Sequence, residues 1–166
     1  SLAADQSYSM VSHVSVATDA ELRAASSEYS GFVRDHYLQL PPDLPQRVRD
    51  LAVDLTRGAE TPLDKVLILQ NYLRGPGFTY SQDIQAPPRG ADGVDYFLFE
   101  TQEGYSDYFA SSMAVLLRNV GVPARMAAGY APGEIEADSG RRFVRDTDSH
   151  GWVQVYFPQF GWIDFE

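Results

Sequence analysis

The residues of this sequence whose types and spacing best suit chemistry are a serine, a histidine and a pair of acids. Ser106 follows Gly104-Tyr105 and opens a run with helical periodicity. A side chain at a helix start lies beside unpaired N–H groups and the positive end of the helix dipole. Both favour a nearby anion and steady a developing oxyanion. The same position suits a plain N-cap, for which serine is a preferred residue, and the helix alone does not separate the two readings.

His150 begins an alternating run that places His150, Trp152, Gln154 and Tyr156 on one strand face, with Val153, Val155 and Phe157 on the other, core-facing side. A lone histidine at a strand edge is more often structural than catalytic. His13 and His36 have no comparable surroundings and are read as structural or exposed. In the final run, Gly161-Trp162-Ile163-Asp164-Phe165-Glu166, both acids share a face with Trp162. A turn that pairs Tyr156 with Trp162 sets Trp152 opposite Glu166, so Glu166 lies diagonal to His150 and within reach of a long side chain. Asp164 then falls opposite Gln154, further away, and a one-residue slip would turn both acids aside. Glu166 is therefore the acid expected to orient the imidazole.

A hydroxyl at a helix start, a histidine on a strand and an acid on the next strand form the nucleophile, base and orienting-acid set of acyl transfer. Gly104-Tyr105-Ser106-Asp107-Tyr108 lacks the second glycine of a G-x-S-x-G elbow, which weighs against an ordinary serine hydrolase. Asp146, Asp148 and His150 alternate like metal ligands, a pattern that also arises by chance. No metal is assigned to them, and no cofactor.

The elements that must position these groups follow from periodicity and punctuation. Residues 10–16 alternate as a short strand and residues 19–30 read as a helix capped by Thr18 or Asp19. Residues 45–57 read as a second helix closed by Gly58, and Thr61-Pro62 opens a third that Gly75-Pro76-Gly77 stops. Residues 81–93 form a long polar loop. From Ser106, the stripe Phe109, Met113, Leu116 and Val120 marks a helix ended by Gly121 and Pro123. Strands are expected at residues 124–130, 143–145, 151–157 and 162–166, with an acidic loop from Gly133 to Gly140 and a turn from Pro158 to Gly161. Helices followed by a helix packed on an antiparallel sheet make an α+β fold.

The length suits one domain with a sizeable core. With 44% hydrophobic residues the chain is a folded protein rather than a disordered one. Its formal net charge of -10 argues against nucleic acid and against a polybasic membrane patch. No run is long and apolar enough to span a bilayer. Ser1-Leu2-Ala3-Ala4-Asp5 does not read as a signal peptide, and the strand pattern that stops at Glu166 leads to the expectation that the chain is a piece of something larger. The absence of cysteine excludes a disulfide, a Cys-based zinc site and a thiol nucleophile.

Several segments resemble the transglutaminase-like branch of the papain-type superfamily. Glu103-Gly104-Tyr105-Ser106-Asp107-Tyr108-Phe109-Ala110 is similar to its G-Y-C-x-x-F-A segment. Leu116-Leu117-Arg118-Asn119-Val120-Gly121-Val122-Pro123-Ala124-Arg125, then Gly129-Tyr130, resembles LLR-x-x-GIPAR…GY. His150-Gly151-Trp152-Val153-Gln154-Val155-Tyr156 resembles HAWVEVY, and the last run resembles GWVxFE. Thr61-Pro62-Leu63-Asp64-Lys65 and Tyr96-Phe97-Leu98-Phe99 resemble the bacterial membrane-anchored branch.

The resemblance implies a single domain over residues 1–166, with a lead-in to residue 60 and a catalytic core from 61 to 166. It implies a papain-like core whose nucleophile-bearing helix packs on the sheet. Ser106 falls at the catalytic cysteine position, His150 at the base and Glu166 at the acid, with Tyr105, Asp107, Asp148, Trp152 and Asp164 about the cleft. The implied activity is transfer of a glutamine acyl group to an amine, or amide hydrolysis, on a protein or peptide substrate. The implied place is an extracytoplasmic domain of a membrane-anchored bacterial protein, touching the membrane only through segments outside this chain.

Three departures stand out. Gly151 replaces alanine, Gln154 replaces a common glutamate, and Ser106 replaces cysteine. A thiolate is a strong nucleophile at neutral pH, whereas a hydroxyl must lose its proton during attack. The domain is therefore expected to be inactive or crippled with Ser106 and active with cysteine there. An engineered trap, a pseudoenzyme that binds a peptide or envelope component, and a serine variant all fit the serine.

Overall fold

The computed structural model describes Ser7, Ser9, Val11 and residues 14–166. Its organising element is helix α6 (Ser106–Asn119), which carries Ala110, Met113, Ala114, Leu116 and Leu117 as a buried stripe. Gly121 ends it at φ 78°, a conformation that costs glycine little, and Val122 N–H returns to Leu117 O at 2.9 Å. The stripe packs on a sheet of three strands in the order β3 (Ala124–Tyr130), β6 (Ser149–Phe157), β7 (Gly161–Phe165), antiparallel throughout. Val153, Val155 and Phe157 face the helix and are almost completely buried. Full burial of each such side chain removes enough apolar surface to stabilise by about 1.5–3 kcal/mol.

Helices α3 (Gln46–Leu55) and α4 (Pro62–Leu73) close the other side of α6. Thr61 caps α4 through its hydroxyl, with Pro62 at the first helical position, as its φ preference favours. Leu63, Val66, Leu69 and Leu73 line the buried face of α4. Two polar ties lock the layers: Lys65 Nζ donates to Val120 O at 2.8 Å, and Asn119 Nδ2 donates to Arg49 O at 3.0 Å. The first sets a cation on the C-terminal carbonyls of α6, where the dipole favours it.

Several expectations are corrected. The helix of residues 19–30 stops early, as α1 (Asp19–Ala24); Ser30 then caps a separate α2 (Gly31–Tyr37). Only Leu22 of α1 is buried, so no apolar stripe carries that helix further. Residues 14–16 form no strand, and Val14 and Val16 are exposed; Met10, Ser12 and His13 lie outside the described residues. His36 is exposed and stacks on Phe32. Asp92 caps a short α5 (Gly93–Tyr96) that widens into a π-turn over Phe97–Thr101 and ends at Gln102 with φ 49°. Phe97 and Leu98 are buried there. Strand β1 (Thr79–Tyr80) pairs in parallel with β2 (Glu103–Gly104), and β4 (Glu134–Ile135) pairs with β5 (Arg142–Phe143) across the acidic loop.

Candidate active site

Ser106 is the first residue of α6, and Tyr105 holds the N-cap position without a side-chain cap. The Ser106 hydroxyl is therefore not a cap. It is 7% exposed and accepts the Gly151 backbone N–H at 3.1 Å, 45 residues away. Its own proton points toward Asp107 Oδ1 at 3.4 Å, a long contact. The helix start thus sits against the middle strand of the sheet, beside the first-turn N–H groups that α6 leaves unpaired.

Gly104 makes this approach possible. A Cβ there would lie 2.8 Å from Tyr108 Cβ and 3.2 Å from the Phe97 ring. Strand β1 runs beside the same glycine, with Thr79 N–H donating to Gln102 O and Ser81 N–H to Gly104 O, each at 2.9 Å.

On the sheet, the expected register holds: Tyr156 faces Trp162 and Gln154 faces Asp164. His150 Nε2 meets Glu166 Oε1, the diagonal contact that this register allows. Glu166 is held from behind as well, because its carbonyl accepts Gln70 Nε2 at 2.6 Å and Arg74 Nη1 at 3.4 Å from α4. Asp164 Oδ1 accepts both Trp152 Nε1 at 2.9 Å and Gln154 Nε2 at 2.8 Å. Gln154 Oε1 in turn accepts Arg125 Nε at 2.9 Å. An amide donates to one neighbour and accepts from the other, so glutamine bridges Arg125 and Asp164 where a glutamate would repel the latter. Gly129, paired with His150, gives the Trp152 indole its place: a Cβ there would come within 2.9 Å of the ring.

Two cavities meet at this wall. One, of about 350 Å³, is lined by Ser106, His150, Trp152 and Glu166 and by an apolar side built from α4, α6 and β1. The other, of about 490 Å³, lies toward Tyr130 and Asp164 and shares His150, Trp152 and Glu166. Tyr105 and Asp148 line neither cavity. The Tyr105 ring packs on Tyr108, and the Asp148 carboxylate accepts the Arg145 N–H at 2.6 Å inside a 3-10 turn. Among the described residues no group of three histidines and acids converges on a metal-sized space, and Asp146, Asp148 and His150 form none. Ser106 and His150 share a cavity but are not hydrogen-bonded among the described residues.

An α+β chain whose key helix buries its start against the central strand of an antiparallel sheet defines the class. The core model of the transglutaminase-like superfamily matches residues 49–166, and the chain belongs to that superfamily. It is 43% identical over 151 residues to YebA of Bacillus subtilis, a match covering 88% of this chain and 20% of that protein. It is 37% identical over 129 residues to a protein-glutamine gamma-glutamyltransferase of Pseudomonas aeruginosa, covering 78% of this chain and 19% of that one. The chain thus spans about a fifth of the length of these relatives. The crystal structure of the periplasmic domain of TgpA from Pseudomonas aeruginosa superimposes with a TM-score of 0.74 at 36% identity, covering 84% of this chain and 48% of that domain. The fold is the papain-like, transglutaminase-like one.

Sequence reasoning missed the apolar wall and the α4 side chains behind Glu166. Phe109 and Met113 read only as a helix stripe, and Gln70 and Arg74 lie more than ninety residues from the group they hold.

Proposed function

We propose that this chain is the acyl-transfer module of a longer, extracytoplasmic, membrane-anchored bacterial protein, built for a nucleophile at position 106. The observation that carries the reading is the His150–Glu166 pair beside Ser106 in one cavity. Its kinship with a protein-glutamine gamma-glutamyltransferase and with a periplasmic domain supports the chemistry and the compartment. Among the described residues no helix is long and apolar enough to cross a membrane, so any anchor belongs to other segments of the protein.

In this mechanism, the atom at position 106 attacks the carbonyl carbon of a glutamine carboxamide while His150 takes its proton. Glu166, bonded to Nε2, leaves the other ring nitrogen for that task and stabilises the imidazolium. First-turn N–H groups of α6 are the natural donors to the developing oxyanion, while the Gly151 N–H donates to the atom at position 106. His150 passes the proton to the departing nitrogen, ammonia leaves, and a thioester forms when the nucleophile is sulfur. An amine or water then attacks the acyl carbon, loses its proton to His150 and releases position 106. Trp152, anchored by Asp164, walls the cleft and excludes water from it.

With Ser106 the first step is crippled, because the site holds the hydroxyl toward Asp107 and the Gly151 N–H rather than on a base. That same geometry favours, as the second reading, a module that binds a donor without turning it over. Ser106→Cys separates the two. Incubated with a glutamine peptide and a fluorescent primary amine, the variant is expected to yield the amide product and ammonia, and His150→Ala in that background to abolish both. Binding without product in Ser106→Cys would leave the binding module as the function.

A further inference from the structure

The cavity beside Ser106 is not shaped by a carboxamide alone. Its far wall is apolar, made by Leu73, Phe78, Phe109, Met113 and Phe165. The rings hold one another: Phe78 and Phe109 stand at 6.2 Å, Tyr80 and Phe109 stack at 6.3 Å, and Phe97 backs both Phe78 and Phe109 at 5.3 and 4.9 Å. Strand β1, tied to Gly104, fixes Tyr80 at the rim. The wall is thus formed before a ligand arrives, and its space of about 350 Å³ falls in the range of small-ligand sites. Apolar surface of this kind rewards an apolar group and gives nothing to a polar one.

The rim carries one cation. Arg74 is the sole arginine or lysine of the lining, which also holds His150 and the Glu166 carboxylate, in a chain of net charge -10, and it makes no salt bridge among the described residues. Its side chain's only hydrogen bond among the described residues is the 3.4 Å one to the Glu166 carbonyl. The cavity on the other side of His150 shares His150 and Glu166 but adds Asp164 and Tyr130 and has no arginine or lysine. The two sides therefore differ in the charge they welcome, and an anionic ligand belongs with Arg74.

We infer that the cavity selects an acyl donor carrying a bulky apolar side chain next to the reacting glutamine, with Arg74 drawing a carboxylate of the same donor. This rests on the acyl-transfer reading for its orientation, since Ser106 and His150 lie at one end of the cavity. The pocket itself is testable without turnover.

The test is calorimetric titration of the chain as it stands, with Ser106, using four acetylated dipeptides. Phe-Gln and Ser-Gln are each prepared with a free C-terminal carboxylate and with a C-terminal amide. Phe-Gln is expected to bind about tenfold more tightly than Ser-Gln, from partial burial of one ring. The carboxylate form is expected to bind about threefold more tightly than the amide at low salt, and Arg74→Gln to erase that factor alone. Equal affinities for Phe-Gln and Ser-Gln, or no binding of any peptide at millimolar concentration, would overturn the apolar pocket. A carboxylate preference that survives Arg74→Gln would overturn the role of Arg74. A second measurement compares iodoacetamide with N-benzyliodoacetamide on Ser106→Cys, each rate divided by that of the urea-unfolded protein. The benzyl reagent is expected to be favoured severalfold, and parity would count equally against the pocket. Failure of Ser106→Cys to transfer acyl groups would sink the acyl-transfer reading while these binding preferences stood, so the two failures are distinguishable.

Discussion

Gly104→Ala strikes a place where the segment before Ser106 lies tight against the helix it opens. The added Cβ would stand 2.8 Å from Tyr108 Cβ and 2.9 Å from Cγ, against ordinary contact from 3.4 Å outward. The gap must therefore widen by about 0.6 Å, judged by that limit. Tyr108 Cβ cannot swing away, because it is fixed to the backbone of α6. The Phe97 ring, 3.2 Å away on the other side, is fully buried. Overpacking of such a site costs about 1–3 kcal/mol, which in a domain of this size lowers Tm by about 2–12 °C. The matched control is Gly58→Ala, where nothing lies within 4 Å of the new Cβ; it is expected to be neutral or to stabilise slightly through the unfolded chain. Thermal denaturation followed by far-UV circular dichroism compares the two. If Gly104→Ala melts within about 1 °C of Gly58→Ala, against the loss expected from overpacking, the close approach that seats Ser106 is not a constraint of the fold.

Other consequences follow from neighbouring groups. Gln154→Glu sets a carboxylate opposite Asp164 in the sheet register and is expected to cost about 0.2–1 kcal/mol in urea denaturation at neutral pH; an unchanged midpoint would show that the bridging amide is dispensable. In the Ser106→Cys background, Asp107→Asn removes a carboxylate 3.4 Å from the nucleophile position. It is expected to lower the thiol's apparent pKa by a few tenths to about one unit, read from alkylation rates; a rise would contradict it. The Thr61 hydroxyl, and after it the Arg23 guanidinium, hold the Asp64 carboxyl below its ordinary 3.8. A lowered carboxyl pKa contributes stability that is fully present above 3.8 and lost as pH falls through the folded value. The urea midpoint of Thr61→Ala is thus expected to lie below wild type at neutral pH and the gap to narrow below pH 3.8, leaving the pH-independent loss of the α4 cap. A gap that stays constant with pH would assign the effect to capping alone.

The parts of the site that lie on adjacent strands were legible in the sequence, because strict alternation and a short turn that pairs Tyr156 with Trp162 set the register while Val153, Val155 and Phe157 are buried. That register carries Glu166 to His150 and Asp164 to Gln154. Helix α6 was legible from its punctuation, Gly104 before it and Gly121-Val122-Pro123 after. Contacts set by tertiary packing were not. Helix α2 has no apolar stripe and owes its place to Val33, which is buried, and to Tyr37 packed edge-on against Trp162 at 4.6 Å. The α5 turn carried a readable cap, Asp92 accepting from Asp95 N–H at 2.9 Å, but its π-turn depends on burying Phe97 among rings far away in sequence. The Ser106–Gly151 bond joins residues that no local pattern links, and it decides that the hydroxyl does not cap its own helix. Gly151 itself, where the resemblance has alanine, leaves room for the Asp107 carboxylate, which a Cβ would meet at 2.8 Å.

The central claim is that position 106 belongs to a thiol-type acyl-transfer site, and the alkylation rate of Ser106→Cys against pH tests it most directly. The chain holds no other cysteine, so the signal comes from one atom. The account predicts an apparent pKa well below the ordinary thiol value of about 8.5, and a rise toward it when His150→Ala is added. A pKa near 8.5 that ignores His150 would contradict the account.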